Sequence, residues 1–297
     1  MGFDVKTISN YVNENAAPLL TKAVLGSDTA VFNILPDVKG KAKLNLAEFN
    51  TILQGASCDW NAQGGTALTQ REVEVIAIDV KETYCDLDLQ PTFANYQIKL
   101  AAGLETIGTF EEFISEKKLA DVQNKVDKLS WQGDANLGVK GVMSYVSEYI
   151  DAKTGSATGG TPTEYATVKA AVDAVYEAIP EELIEKAVIF MSEGAYRAYT
   201  KALVDANMYH YDGAYGNGEI YVPGTNVKVM ARHGMNGLKT VVAMNPENFV
   251  WAVDIEDAAQ RVKFFFDEGN DVFKLKIRFG CGGQVAFPNE VVVANFA

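Results

Sequence analysis

The residues able to do chemistry are few and scattered. The chain has two histidines, His210 and His233, and three cysteines, Cys58, Cys85 and Cys281. Neither histidine has a serine, cysteine or carboxylate at the spacing a nucleophile and base use. His210 sits in an aromatic loop and His233 beside a turn, and both read as structural side chains. Cys281 lies beside basic strand residues, with nothing to act as its general base. The cysteines are odd in number, far apart and without Cys-x-x-Cys spacing, so they outline neither a zinc site nor a disulfide framework. Their pattern fits a reducing compartment. A Gly-x-Ser-x-Gly elbow, a Walker loop and a His-Glu-x-x-His helix are all missing. Asp212 to Glu219 gathers oxygen ligands in a loop but lacks the calcium-loop pattern. The runs GSATGG (155–160) and GCGG (280–283) lack the strand–loop–helix setting that cradles a phosphate, and are expected as turns. The sequence therefore assigns no catalytic, cofactor-binding or metal-ligating residue and no cofactor, which moves the expectation toward a structural or binding protein.

Composition narrows the class further. The chain has 297 residues, of which 48% are hydrophobic and 10% aromatic, enough for one large domain or two modest ones. Its 26 basic and 39 acidic residues leave a net charge of −13. That balance argues against a sequence-independent nucleic-acid binder, which carries a basic stripe, and favours solubility at high concentration. No run approaches the roughly 18 apolar residues a membrane span needs. The start, MGFDVKTISN, has no basic flank or long apolar run, so no signal peptide is expected.

Around these residues the pattern sets out a series of elements. Residues 1 to about 37 hold a short helical piece after Pro18, broken at Gly26-Ser27-Asp28, and read as an extended arm. Residues 38 to 85 read as a long hairpin. Lys41 to Leu46 supplies one strand, and Gln70 to Tyr84 supplies a long one whose apolar set shifts from odd positions (Val73, Val75) to even ones (Ile76, Ile78, Val80). Such a phase change marks a bulge or a change of covered face. Thr109 to Leu129 is an amphipathic helix with a capping box at Thr109 and Glu112. WQGDANLGVKGVMSYVSEYIDAK is a strand-poor connection, and TGSATGGTPT is the best internal boundary. A helix is expected from Thr161-Pro162, with Tyr165, Val168, Val172, Val175 and Ile179 as its stripe. The strand AVIFM (187–191) follows, then a helix capped by Ser192 that packs Tyr196, Tyr199 and Leu203 inward and stops at Asn207. A Gly/Tyr/Asn loop spans Tyr209 to Gly218. EIYV and VKVM flank Pro223-Gly224, Asn236-Gly237 signals a hairpin before LKTVVAM, and FVWAV is a buried strand. VKFFF then turns at Glu268-Gly269-Asn270 into a strand with Phe273, Leu275, Ile277 and Phe279 on one face and Lys274, Lys276 and Arg278 on the other.

In this order the elements resemble the Hong Kong 97-type major capsid protein of tailed phages. The stretches that carry the resemblance are AVIFMSEGAYRAYTKALVD, VPGTNVKVM with VVAMNPENFVWAVD, and DVFKLKIRFGCGGQVAFPNEVV. The resemblance covers nearly the whole chain and implies an α+β fold. It implies an N-terminal arm (1–37), an extended β-hairpin loop lying over a neighbour (38–85), a peripheral domain with a spine helix (86–160 and 262–297) and an axial domain (161–261). The last dozen residues are the hardest to place, and Tyr209 to Gly218 is the candidate axis-facing loop. It further implies a non-enzymatic subunit that assembles with itself into pentamers and hexamers of an icosahedral shell. That shell would be a virion capsid made in the bacterial host cytoplasm. Scaffold, portal and decoration proteins would be partners, and packaged double-stranded DNA would lie inside without sequence-specific binding or any membrane. The rival readings are an encapsulin-like non-viral shell and an α+β enzyme or ligand-binding protein.

Overall fold

β13 (Val272–Val285), in a computed structural model of the chain, is the strand from which the others are best followed. The described residues are 21, 24–26, 28–53, 55, 64–85, 98, 110–206, 219–255, 262–267, 269–270 and 272–297. The alternation expected of β13 is realised, with Leu275, Ile277 and Phe279 buried and Arg278 exposed. β12 (Val262–Asp267) pairs antiparallel with it, Val262 opposite Ile277 and Asp267 opposite Val272. The glycine run, expected as a turn, is instead strand. β13 continues through Gly280, Cys281, Gly282 and Gly283 to Val285, all buried, and pairs there with β11 (Phe249–Asp254). The reason is steric: a Cβ on Gly282 would lie 1.9 Å from the Glu74 carbonyl oxygen, and one on Gly283 2.2 Å from the Phe249 ring. Glycine here lets another segment cross directly over the strand.

That other segment explains the phase change seen in the sequence. β2 (Lys41–Asn50) and β3 (Gly65–Glu74) form a two-stranded sheet, and the chain breaks at Val75 before β4 (Ile76–Cys85) joins β13. The stretch expected as one strand is thus two strands in two sheets. Val73 faces the base of the hairpin, whereas Ile76, Ile78 and Val80 turn toward the main core. β1 (Asn33–Leu35) runs parallel to β11 and completes a five-stranded sheet of order β1-β11-β13-β12, with β4 on β13.

The second sheet has seven strands. In it β5 (Ile150–Asp151), β14 (Val292–Phe296), β10 (Thr240–Met244), β7 (Val188–Met191), β9 (Lys228–Ala231) and β8 (Glu219–Tyr221) lie in that order, with β6 (Glu164–Tyr165) also on β14. Period-two alternation divides its side chains between two cores. Phe190, Val242, Met244 and Val293 face the first sheet and the long helix α1 (Phe110–Gln132). Ile189, Met191, Val241, Ala243, Val292 and Ala294 face α2 (Val168–Ala178) and α3 (Glu193–Asp205). Within α1, Leu119, Val122 and Val126 form the expected buried stripe. Trp131, two positions past the expected end, is fully buried with ring centroids 5.1 Å from both Phe32 and Phe190. α3 is capped by Ser192, whose oxygen accepts from the Ala195 N–H at 3.3 Å, and it buries Tyr199 and Leu203.

Two further expectations are corrected. α2 starts seven residues after Thr161, capped by Thr167. Residues 161–163 stay extended because the buried Asp151 carboxylate accepts from the Thr163 N–H at 2.5 Å and the Thr163 hydroxyl at 3.0 Å. Burial opposes ionisation of Asp151, but these donors and the N–H groups of Lys153 and Thr154 outweigh it and hold its pKa below the ordinary value. Asn236-Gly237 does not close a hairpin: β9 and β10 both neighbour β7, so the turn carries the chain across β7. The strand-poor connection holds a 3-10 segment, Val142–Glu148, that buries Val142 and Tyr145. The last strand, Val292–Phe296, in the stretch the sequence left hardest to place, lies in the seven-stranded sheet between β10 and the short β5 and β6.

Because Gly282 meets backbone and not a movable side chain, Gly282→Ala is expected to destabilise the fold by about 3 kcal/mol. A urea midpoint unchanged from wild type would contradict the close crossing.

Candidate assembly surfaces

Among the described residues, the hairpin is held at its base. β2 and β3 are ten residues each, in register from Lys41 opposite Glu74 to Asn50 opposite Gly65, and at 3.3 Å per residue they reach about 33 Å. At the base, Val73 is fully buried in a small cluster with Val38 and Ala252. Arg71 donates to the Val285 carbonyl at 2.9 Å and pairs with Glu148. Gln284 donates its amide to the Glu72 carbonyl at 3.0 Å, and the Val75 N–H reaches the Gly40 carbonyl at 2.7 Å. From Gly65 to Gln70 every residue is exposed, Leu68 to 79%. A two-stranded ribbon with both faces in water is marginal by itself, and its open edges and apolar side chains are places where another chain can pair.

A second feature ties the N-terminal segment to α1 and to the 232–236 turn. Asp28 and Asp127 are both buried. Asp28 accepts from the Gly234 N–H at 2.7 Å and faces the Arg232 guanidinium at 3.6 Å. One Asp127 oxygen, Oδ1, is buried without a hydrogen-bond partner. Burial, and then the Asp28 charge, push the Asp127 pKa up to about 6, against smaller opposing effects from the Asp28 and Thr29 N–H groups and His233. Gln132, at the end of α1, donates to the carbonyls of Gly234 and Asn236 at 2.8 and 3.0 Å. Asn236 accepts in turn from the Glu193 N–H at 3.1 Å, so this turn is joined to the start of α3. The Asn-Gly signal marked the turn itself; the sequence carries no sign of its partners, which lie about a hundred residues away.

A groove of about 460 Å³ runs between α1 and the β4–β13 face, floored by Ile78, Val80, Val122, Val126, Leu129 and Phe279. Lys118 pairs across its rim with Glu82. It is apolar surface on the helix side of the sheet, bordered by charge.

Among the described residues, those considered for chemistry are not brought together. His233 lies 3.6 Å from the Glu193 carboxylate, and both side chains are 47% exposed. Cys281 is a buried free thiol whose pKa burial pushes up to about 12, which suppresses thiolate chemistry. Among the described residues no three His, Cys, Asp or Glu side chains gather as a metal site, and no helix is long and apolar enough to cross a membrane. His210, Cys58, the Tyr209–Gly218 loop, the Thr109 cap and the Asn207 stop lie outside the described residues.

No family model matches the sequence. No curated protein matches it either. Solved structures do. The chain aligns with the capsid of the native GTA particle at 11% identity over 93% of this chain and 90% of that one, with a TM-score of 0.58. It aligns with the satellite phage P4 procapsid, which includes a size-determination protein, at 12% identity over 100% and 92% of the two chains, with a TM-score of 0.56. A virus-like particle from Pyrococcus furiosus aligns at 9% identity over 95% and 98%, with a TM-score of 0.50. The chain therefore has the α+β Hong Kong 97-type capsid fold.

The folded protein holds a proton on Asp127 more tightly than the unfolded chain, where the ordinary value is 3.8. Stability from this group is thus present at acid pH and is lost as pH rises from about 4 to about 6. Asp127→Asn is expected to leave stability at pH 4 nearly unchanged and to raise it by about 2 kcal/mol at pH 8. Urea unfolding of wild type and variant at both pH values checks this.

Proposed function

We propose that this chain is a major capsid protein that self-assembles into the icosahedral shell around a phage double-stranded DNA genome. The observation that carries the reading is the whole-chain fold likeness to capsid subunits, joined to a hairpin that reaches beyond any core of its own subunit. In this reading the N-terminal arm is 1–37, the extended loop 38–85, the peripheral domain 86–160 and 262–297, and the axial domain 161–261, with α1 as the spine helix. Tyr209 to Gly218 meets its symmetry mates at the capsomer axis. A shell subunit needs no reactive pocket; it needs strands and apolar surface that neighbours complete, repeated by closed symmetry. Its place is the virion, after synthesis in the host cytoplasm. Its partners are further copies of itself, scaffold, portal and decoration proteins, and DNA held without sequence preference.

The Pyrococcus furiosus virus-like particle supports a second reading, a non-viral shell of the same fold. Particles that enclose duplex DNA favour the phage assignment, whereas particles that enclose a folded protein cargo favour the other.

Negative-stain microscopy of the concentrated protein, alone and with a co-expressed scaffold, is the direct test. Rings, sheets or closed shells are expected. A chain that stays a monomer in both conditions and resists protease near residues 50–70 would turn the reading toward an α+β enzyme or ligand-binding protein. Deleting residues 54–66 is expected to leave a folded subunit that forms no shells. Normal shells from that deletion would remove the hairpin from the assembly interface.

A further inference from the structure

The N-terminal segment is fastened to α1 and to the 232–236 turn around one buried point. Val24 and Thr29 are fully buried, and the Thr29 hydroxyl donates to the Val24 and Gly26 carbonyl oxygens at 3.3 and 3.1 Å. A Cβ on Gly26 would lie 2.5 Å from the Gln123 side chain of α1. Asp28 precedes a single 3-10 turn, Thr29–Val31, and its own N–H and that of Thr29 face the Asp127 carboxylate. The Asp28 carboxylate accepts from the Gly234 N–H and faces the Arg232 guanidinium. Gly234 presses on α1 in turn: a Cβ there would lie 2.2 Å from the Asp127 carbonyl oxygen and 2.4 Å from the Trp131 ring. Three elements thus close on two carboxylates and one guanidinium.

The charge at this point is uneven. Arg232 faces Asp28, and among the described residues no Lys or Arg pairs with Asp127. Asp127 Oδ1, Trp131 Nε1 and Arg232 Nε are buried without hydrogen-bond partners. Ionised, Asp127 is a second buried negative charge beside Asp28, with one oxygen unbonded. Protonated, it is neutral and leaves Arg232 to Asp28. The titratable groups that face it from the elements packed around it are Asp28 of the N-terminal segment and His233 of the turn, with Arg232 against Asp28 and Glu193 of α3 against His233. We infer that Asp127 is a proton-controlled latch for the N-terminal segment: its protonated form holds Val24, Asp28, Thr29 and Phe32 in place, and its ionised form loosens them through repulsion from Asp28 and its own demand for water. Opening returns the carboxyl to water and to its ordinary acid strength, so opening releases a proton and is favoured as pH rises. The Phe32 ring, which packs on Trp131 and Phe249, leaves with the segment. The device is a property of the single subunit and goes beyond the shell reading without resting on it.

Hydrogen–deuterium exchange of the full chain reads the latch, with each amide rate divided by its unstructured rate at the same pH. The Ala30 and Phe32 amides, which donate within this segment, report its opening. The amides of β10, buried along its length, report global unfolding. The segment is expected to exchange faster than β10 at every pH. With the Asp127 pKa moved from 3.8 to about 6, opening of the wild-type segment is expected to rise about tenfold from pH 5 to pH 8. Asp127→Asn is expected to abolish that rise, holding the segment at pH 8 as firmly as the wild type holds it at pH 5. His233→Gln is expected to retain the rise. A wild-type segment equally protected at both pH values, a rise that survives Asp127→Asn, or one that disappears in His233→Gln alone would each overturn the latch. So would a segment that exchanges only together with β10, because the carboxyl would then act on the whole fold and not on this joint.

Discussion

The close crossing of the hairpin base over β13 is the constraint on which the rest of this structure depends. A strand of 14 residues pairs with β4, β12 and β11, and at its glycines the Glu74 backbone comes within a Cβ's reach. Without that passage β3 could not leave the hairpin and become β4 within one residue, and the hairpin would have no rigid root. Arg71, Gln284 and the Gly40 carbonyl then fix the direction in which it leaves. The geometry of a projecting arm is set by a packing event in the core.

The two cores are divided by the same economy. One seven-stranded sheet serves both, because alternate residues of β7, β10 and β14 face opposite sides. Trp131 joins them to the N-terminal segment through Phe32 and Phe190, and the Phe32 ring reaches Phe249 of β11 at 4.8 Å. The long helix is therefore wedged between both sheets, and the buried Asp28–Arg232 contact and the Asp127 carboxyl lie along its C-terminal half. Short contacts thus tie the end of the helix and the N-terminal segment directly to the 232–236 turn.

An acidic protein whose exposed strands are of mixed character gains specificity from where its charges sit. Surface ion pairs such as Asp79–Arg278 add little to the stability of a subunit. Their arrangement in register still determines which surfaces can approach, since like charge repels and opposite charge steers. In a shell made of many copies, small contact energies multiply, so a modest patch has consequences that it would lack in a monomer.

Much of the fold was legible in the residues themselves. Continuous apolar runs located β7 and β11, a period of two located the first half of β13, and periodicity of 3.6 located α1 and α3, because burial leaves its mark on local order. Ser192 announced its cap for the same local reason. The phase change at Val75 announced that something happened there, but not that the chain changed sheets. What local order could not carry was partnership at a distance. Gly280 to Gly283 look like a turn until Glu74 is laid over them. Thr161-Pro162 looks like a helix start until Asp151 takes the Thr163 N–H. Asn236-Gly237 looks like a hairpin until β7 is placed between β9 and β10. The sequence by itself determined the type of most elements, the absence of catalytic motifs and the sign of the charge. Only tertiary structure decided which strands became neighbours and how the glycines are used, because register and close approach arise between segments and not within them.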